Sequence, residues 1–220
     1  MQKRLLIGTN NPSKLHLMRS FIQDESIEIV SPADLGLNMQ APEDARDAAG
    51  NALQKAIAFH RASGLPVMTE DSGLVFLDLP MDHPDQPGVY VRRPANNAPL
   101  TDDEDMLIYY ANLIHRHGGK LRAAWQDAWC ILQDAEHYAL HTEDESALLR
   151  HAMTMVDVPC SQRHPGWPLD SLTVSASTGR YWAEMSREDM DAVRKLEQSG
   201  AAEDRQKLLT WIREQVAKMV

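Results

Sequence analysis

The chain has 220 residues, of which 43% are hydrophobic and 25% are charged, a composition that predicts a folded protein with a sizeable core. Its formal net charge of −10 argues against a binder of duplex nucleic acid, which would present a basic face. Only two cysteines occur and no apolar run is long enough to cross a bilayer, so we expect a cytoplasmic protein with neither a disulfide framework nor a membrane segment.

Strand-like and helical segments alternate up to about residue 94, which is typical of an α/β fold. Short strands are predicted at Arg4–Gly8 and Ile27–Val30, with a helix at Leu15–Ile22 between them. A long alanine-rich helix is predicted at Ala45–Arg61 and ends before a glycine and a proline. The next segment, Val67–Leu79, predicts a strand, an acidic turn and a second strand.

A proline-rich stretch, "PMDHPDQPG", follows at Pro80–Gly88 and predicts a surface loop. The rest of the chain is predicted to hold three helices, two antiparallel strands and an irregular region over residues 150–170. The helices are expected at Thr101–His117, Ser186–Leu196 and Glu203–Met219, and the strands at Lys120–Gln133 and His137–Ser146. Thr101 is the predicted N-cap of the first of these helices.

Polar residues connect the first strand to the first helix in the sequence "TNNPSK", Thr9 to Lys14. Asn10 or Asn11 is suited to cap the helix, and Pro12 suits its first turn. A helix N-terminus presents backbone N–H groups, and Lys14 adds a positive charge beside them. This turn is therefore a candidate phosphate site.

Two further polar clusters interrupt apolar surroundings. Asn51 and Lys55 are four residues apart and so share one face of the alanine-rich helix. Glu70 and Asp71 are adjacent carboxylates, which repel each other unless a cation or a donor lies between them. They suit Mg²⁺, and one of them could orient or deprotonate a metal-bound water. An exposed turn that satisfies its own backbone N–H groups is the alternative interpretation of the acidic pair.

Four motifs, "TNNPSK", "GNALQKA", "GLPVMTEDSGL" and "PGVYVRR", occur in this order between residues 3 and 93. This part of the chain resembles the inosine triphosphate pyrophosphatase family, which hydrolyses deaminated purine nucleoside triphosphates to the monophosphate and pyrophosphate. The resemblance implies a single domain over residues 1–220, with a long twisted mixed sheet flanked by helices in two lobes around a central cleft. It also implies a homodimer and a Mg²⁺ cofactor, with Mn²⁺ as an alternative ion.

The same resemblance assigns roles to individual residues. Asp71, Lys14 and Lys55 would be catalytic, while Glu70 and Asp71 would hold the metal ion. The residues implied to bind the nucleotide are Thr9, Asn10, Asn11, Lys14, Asn51, Lys55, Ser72, Gly73, Trp167 and Asp170. In this set Trp167 would stack on the base.

Two departures from the family pattern affect the predicted function. Gly50 stands where the family has a metal-binding Glu, and of the upstream acids Glu43, Asp44 and Asp47, the last is best placed to replace it. The family's base-reading Ser-His-Arg triplet is also missing. We therefore expect Mg²⁺-dependent hydrolysis of a deaminated or modified purine nucleoside triphosphate with altered base recognition. A catalytically impaired nucleotide-binding protein, acting as a sensor or as an assembly partner, is the alternative.

Cysteine and histidine provide one other candidate for a metal site. Cys160 and His164 are four residues apart, but no second pair of ligands stands at zinc spacing, so a structural or solvent-facing role is favoured for both.

Overall fold

Seven β-strands form one mixed sheet in the part of the chain that the computed structural model describes, residues 3–94, 100, 102–197 and 200–220. The strands are Lys3–Ile7 (β1), Ile27–Val30 (β2), Val67–Phe76 (β3), Lys120–Leu132 (β4), Tyr138–Thr142 (β5), Met153–Val156 (β6) and Thr173–Val174 (β7). Their order across the sheet is β2-β1-β3-β4-β6-β7, and β5 pairs with β4. β1 is parallel to β2 and β3, whereas β4 is antiparallel to β5 and β6.

Helices alternate with these strands along the chain. The α-helices are Pro12–Arg19 (α1), Ala48–Ser63 (α2), Asp103–Arg116 (α3), Glu145–Arg150 (α4), Arg187–Glu197 (α5) and Ala201–Met219 (α6). Short 3-10 helices form at Ala33–Leu35, Pro168–Ser171 and Trp182–Glu184. The predicted α/β class, with a mixed sheet flanked by helices, is confirmed. No helix within the described residues combines the length and the apolar character that a membrane span requires.

The chain divides into two compact units. The first unit consists of Met1–Ser72, Asp127–Glu143 and Glu203–Val220, and the second of Gly73–Gln126 and Asp144–Ala202.

In the first unit, strand β1 is buried on both faces, because its side chains alternate between two hydrophobic clusters. Leu5 and Ile7 pack in a cluster that includes residues of α1 and α6, whereas Leu6 packs with residues of α2. All three side chains are fully buried. Strand β3 continues the same alternation, since Met68 belongs to the first cluster and Val67 to the second. The sheet therefore carries α1 and α6 on one face and α2 on the other.

The second unit has its own hydrophobic core, in which α3 packs with the end of β3, the start of β4, and β6. Tyr110 of α3 is fully buried in this core, and its hydroxyl donates a hydrogen bond of 3.0 Å to the backbone carbonyl of Val91. Since a buried hydroxyl is costly without a partner, this bond explains how α3 can carry a tyrosine at a core position.

The predicted acidic turn between two strands is wrong. Residues Val67–Phe76 form one continuous strand, and Glu70 and Asp71 lie within it as buried side chains. Beyond them, Leu74 exchanges two backbone hydrogen bonds of 2.9 Å with Gly88, which keeps the chain extended. Adjacent carboxylates favour a turn only when they are solvated, and in this strand both have lysine partners.

Predictions for the region after β5 also need correction. The strand predicted to reach Ser146 ends at Thr142, because Asp144 accepts a hydrogen bond from the backbone N–H of Ala147 and so caps α4. The supposedly irregular residues 150–170 include strand β6, Met153–Val156, which pairs with β4 and β7. A four-residue strand gives too short a pattern to be recognised without its partners.

Helix starts differ from the predicted ones for reasons of capping. Helix α2 begins at Ala48 rather than Ala45, because the side chain of Asp47 accepts a hydrogen bond from the backbone N–H of Gly50. Helix α3 begins at Asp103, and Asp102 is its N-cap. Thr101, the predicted N-cap, lies outside the described residues.

Candidate functional site

The turn between β1 and α1 is shaped by its own side chains. Of the two candidate caps, Asn11 is the N-cap of α1, and its side-chain oxygen accepts from the backbone N–H groups of Ser13 at 2.9 Å and Lys14 at 3.2 Å. The hydroxyl of Thr9 accepts from the N–H of Asn11 at 3.1 Å. The amide of Asn10 donates to the backbone carbonyl of Met39 at 2.9 Å and ties the turn to a neighbouring loop.

Gly8 brings this turn against β3. Its backbone N–H donates to the carbonyl of Met68 at 2.9 Å, so the chain leaves the sheet beside the stretch that contains Glu70 and Asp71. A Cβ atom at Gly8 would lie 2.7 Å from the ring of Phe59 and 2.8 Å from the methyl group of Thr69. Only a glycine allows this approach without displacing buried neighbours.

Strand β3 sends its two carboxylates in different directions. Asp71 contacts residues of α2, as does Thr69, whose hydroxyl donates to the carbonyl of Ala52 at 2.7 Å. Glu70 instead contacts Lys14 of α1. This difference follows from the two-residue period of a strand, which places consecutive side chains on opposite faces.

Lys14 and Glu70 form an ion pair with 2.6 Å between Nζ and Oε2. Glu70 is only 9% exposed, so its charge requires a partner, and Lys14 is the partner that the structure provides.

Asp71 is held by two residues of α2. Its Oδ2 accepts from the side-chain amide of Asn51 at 2.9 Å, and its Oδ1 lies 2.5 Å from Nζ of Lys55. Asn51 is almost completely buried, and its own oxygen accepts from the N–H of Ala45 at 2.9 Å. Because residues four apart lie on one face of a helix, Asn51 and Lys55 both reach the same carboxylate.

The ammonium group of Lys55 contacts three oxygen atoms. Nζ contacts Asp71, Oε1 of Glu43 at 2.8 Å and the backbone carbonyl of Glu70 at 3.4 Å. Burial alone would lower the pKa of Lys55, but the charges and hydrogen bonds of Asp71 and Glu43 outweigh it and raise the pKa above its ordinary value. Lys55 is therefore firmly cationic at neutral pH. Lys55 thus contacts the backbone of Glu70, while Lys14 contacts its side chain.

The upstream acids differ in what they contact. Glu43 reaches Lys55, whereas Asp47 caps α2 and Asp44 accepts from the side-chain amide of Gln54 at 2.8 Å. Glu43, rather than Asp47, thus contacts the ammonium group of Lys55 that also contacts Asp71. The sequence does not distinguish these acids, because the loop before α2 has no periodicity that would orient them. The role of Asp47 as a metal ligand stays a prediction.

Gly50 has no space for a larger side chain. A Cβ atom there would lie 2.7 Å from Cβ of Ala45 and 3.2 Å from Oδ1 of Asp47. Where the family has a carboxylate, the loop before α2 thus packs directly against the start of the helix.

Other predicted site residues lie at the end of this strand and in the second unit. Ser72 is partly buried in β3, and at Gly73 a Cβ atom would lie 2.9 Å from the carbonyl oxygen of Gly88. Trp167 is 49% exposed, and the carboxylate of Asp170 lies 3.2 Å from Nδ1 of His164. Their roles in nucleotide binding stay predictions.

Comparison with known proteins identifies the family. The model of the Ham1 family matches residues 5–198, most of the chain. The chain belongs to the Ham1 family. This confirms the family resemblance that the four motifs indicate.

Curated relatives of this Ham1-family chain have the name dITP/XTP pyrophosphatase. The one from Bradyrhizobium diazoefficiens is 34% identical over 139 residues, which cover 61% of this chain and 62% of the relative. The one from Yersinia pseudotuberculosis is 28% identical over 196 residues, covering 88% of this chain and 91% of the relative. The match to the Bradyrhizobium protein thus spans less than two thirds of that relative, whereas the match to the Yersinia protein spans most of it.

Solved structures of Ham1 proteins have the same fold. The Ham1 protein of Staphylococcus aureus superposes with a TM-score of 0.68 at 16% identity, and the match covers 96% of this chain and 99% of that one. A HAM1 protein from Coxiella burnetii gives a TM-score of 0.66 at 20% identity, with the same coverage. At such low identities these matches support the fold alone.

Proposed function

We propose that this Ham1-family chain is a nucleoside triphosphate pyrophosphohydrolase, which releases pyrophosphate and leaves a nucleoside monophosphate. The observation that supports this most strongly is the convergence of Lys14, Lys55 and Asp71 around Glu70, within one compact unit. Cations for a polyphosphate and a carboxylate for a water molecule are the groups that this reaction needs. The names of the curated relatives agree with the same reaction.

The balance of charges argues that a divalent cation takes part. Two ammonium groups, Lys14 and Lys55, face three carboxylates, Glu43, Glu70 and Asp71, which leaves a net charge of about −1. A bare triphosphate would meet this negative cluster with repulsion. A Mg²⁺ ion would make the net charge of this cluster positive. Its preference for carboxylate and phosphate oxygens also fits the donors present.

Glu43 and Asp71 are the residues that fit such an ion best, while the carboxylate of Glu70 contacts Lys14 instead. One oxygen of Glu43 and one of Asp71 already share a cation, the ammonium group of Lys55, so both can face a common positive charge. When bound, Mg²⁺ or Mn²⁺ would polarise the phosphoryl oxygens. Lys14 and Lys55 would then turn from the carboxylates to the phosphates.

Asp71 is suited to act on the attacking water. Asn51 and Lys55 fix its two oxygens from one side, and a carboxylate has further lone pairs that can accept a hydrogen bond from a water molecule. The water would attack the α-phosphorus, and Asp71 would accept its proton. Lys14 and Lys55 would stabilise the charge that develops on the departing pyrophosphate.

Base recognition is expected to be altered in this chain. Trp167 exposes enough of its indole ring to stack on a purine, and Asp170 follows it in the same 3-10 segment. Stacking is tolerant of base identity, and the family's base-reading Ser-His-Arg triplet is missing. The proposed substrates are therefore deaminated or otherwise modified purine nucleoside triphosphates, with weaker discrimination among bases.

Further properties of the protein are also proposed. The family resemblance supports a single functional domain over residues 1–220 and a homodimer. The low number of cysteines supports a cytoplasmic location, and the net charge of −10 supports the absence of a nucleic-acid partner. Light scattering tests the homodimer, for which the expected mass is twice the chain mass of 24.7 kDa.

The test of the proposed reaction is a screen of nucleoside triphosphates for pyrophosphate release, with Mg²⁺ or Mn²⁺ and with a chelator. We expect release from at least one modified purine nucleotide, dependent on the metal ion and reduced at least about 100-fold in Asp71→Asn. Glu145→Gln, which removes a carboxylate from the unrelated helix α4, is the control and should keep full activity. Phosphate release instead of pyrophosphate, or undiminished turnover in Asp71→Asn, would contradict the proposal.

A nucleotide-binding protein without catalysis is the second candidate. The observation that favours it is Gly50, where Ala45 leaves no space for the family's carboxylate. Calorimetry with the same nucleotides separates the two functions, because tight binding without any pyrophosphate formed would favour the binder.

A further inference from the structure

Three potential metal ligands converge in the second unit, and none of them is given a role above. They are His83 and Asp85 of the Pro80–Gly88 loop and His117 at the end of α3. One ligand atom from each lies within 4.8 Å of the other two. All three residues are partly buried, so the site is shielded from solvent without being closed.

The loop that carries His83 and Asp85 is held in place by Gln86. The side chain of Gln86 accepts from the N–H of Phe76 at 2.9 Å and donates to three carbonyls, of which that of Phe76 is the nearest at 2.8 Å. The backbone adds bonds from His83 to Pro80 and from Gln86 to His83. Since the ends of β3 and this loop are joined by these bonds, two of the ligands have a fixed backbone.

The third ligand is equally well positioned. His117 is the C-cap of α3, and its N–H bonds to the carbonyl of Ile114 at 3.0 Å. A bound cation at this end of the helix would also be favoured by the helix dipole.

The side chains already face one another. Nε2 of His117 lies 2.8 Å from Oδ2 of Asp85, and the rings of His83 and His117 are 5.3 Å apart at an angle of 75°. Nδ1 of His83 accepts the N–H of Asp85 at 3.1 Å, so an ion bound at this nitrogen would take the place of that N–H. Arg116 approaches the other carboxylate oxygen, Oδ1, at 3.6 Å, which leaves Oδ2 on the side of the two rings.

We propose that His83, Asp85 and His117 bind one divalent transition-metal ion, with Zn²⁺ as the representative. Two imidazoles and one carboxylate are a ligand set that zinc and related ions prefer over Mg²⁺. A tetrahedral ion with bonds of about 2.0–2.2 Å separates its ligand atoms by roughly 3.3–3.6 Å, so the present spacings need only small side-chain movements. The ion would take the place of the proton that His117 shares with Asp85, and a water molecule would fill the fourth position. The bound ion would hold the Pro80–Gly88 loop against the end of α3.

Other histidines of the chain provide an internal comparison. His115, His137 and His164 each contact an aspartate, but in the part of the chain that the structure describes no second imidazole joins any of these pairs. Within the described residues, His83, Asp85 and His117 are the one group of three metal-ligating side chains found together. A two-ligand pair binds such ions weakly, so these histidines are suitable controls.

The experiment is equilibrium dialysis of the full chain against Zn²⁺, with millimolar Mg²⁺ present to occupy carboxylate sites. We expect one Zn²⁺ per chain in the wild type and at least a 10-fold weaker affinity in both His83→Ala and His117→Ala. His115→Ala should bind as the wild type does, because His115 is exposed on the same helix and faces Asp157. Wild-type binding that is absent, or unchanged in either site variant, would overturn the proposal, as would equal loss in His115→Ala.

A second measurement covers the case in which an alanine variant fails to fold. Co²⁺ is added to the wild type and to the milder His117→Gln, with folding checked by circular dichroism. We expect the visible absorption bands of a four-coordinate cobalt site in the wild type alone. The absence of these bands from the wild type, or bands of equal strength in both proteins, would contradict the site.

Discussion

Asp71 shows how a single carboxylate obtains a fixed position from two residues of one helix. Asn51 and Lys55 contact different oxygens of Asp71, and Asn51 is in turn held by the backbone of Ala45. Removal of one member would leave a buried donor or acceptor of its neighbour unpaired, which is more costly than the loss of a single hydrogen bond. The loop before α2, helix α2 and strand β3 thus depend on one another at this site.

Glu43 and Asp47 are distinguished by conservative substitutions. Asp47→Asn removes a carboxylate but keeps a good N-cap, so we expect unchanged stability and unchanged Mg²⁺ dependence. Glu43→Gln removes a carboxylate that contacts Lys55, so we expect the Mg²⁺ concentration for half-maximal activity to rise at least several-fold. Both are measured as pyrophosphate release against Mg²⁺ concentration. The reverse result, with Asp47→Asn impaired and Glu43→Gln normal, would restore the metal role predicted for Asp47 from the sequence.

At the scale of elements, the junction of β1 and α1 depends on the absence of a side chain at Gly8. We expect Gly8→Ala to lower the free energy of unfolding by about 1–3 kcal/mol, because its Cβ would meet the buried Phe59 and Thr69 below 3 Å. Urea unfolding measures this, with Ser13→Ala on the exposed start of α1 as a control expected to change it by less than about 0.5 kcal/mol. An equal stability of Gly8→Ala and the wild type would show that the contact is not tight.

The packing of α6 against β5 predicts a response to acid. The ring of His141 lies 5.2 Å from that of Trp211, and burial lowers the pKa of His141 below its ordinary value of 6.5, although Glu143 raises it in part. As the pH falls below about 6.5, His141 is therefore protonated in the unfolded chain before it is protonated in the folded chain. The free energy of unfolding then falls as the pH falls, by at most about 1.4 kcal/mol per pH unit. We expect His141→Phe to flatten this dependence in urea unfolding between pH 7.5 and about pH 5.5, while His16→Gln follows the wild type. A slope that is the same in His141→Phe would exclude His141 as its source.

The structure also shows which parts of the fold and site can be predicted from sequence. The strand, turn and helix around Thr9–Lys14 are predictable because caps act within a few residues. The shared face of Asn51 and Lys55 is predictable because it follows from helix geometry. The course of β3 is not, since the buried carboxylates of Glu70 and Asp71 have partners, Lys14 and Lys55, that are distant in the sequence. The contact of Glu43 with Lys55 depends on a loop, whose conformation no local pattern specifies.

At the scale of the whole molecule, the net charge of −10 makes metal and nucleotide binding interdependent. A triphosphate alone is repelled by the acidic chain, and Mg²⁺ relieves this repulsion. We expect Mg²⁺ together with a non-hydrolysable triphosphate at about 100 times its Kd to raise Tm by roughly 5–10 °C. Thermal unfolding should show a much smaller shift with either ligand alone. An equal shift with the triphosphate in the presence of a chelator would contradict the requirement for the ion.

A crystal structure with Mg²⁺ and a non-hydrolysable purine triphosphate tests the central claim most directly. We expect phosphate oxygens within hydrogen-bonding distance of Nζ of Lys14 and Lys55, and the ion on oxygens of Glu43 and Asp71. If the triphosphate binds elsewhere while Lys14 stays on Glu70 and Lys55 on Asp71, the proposed site is wrong.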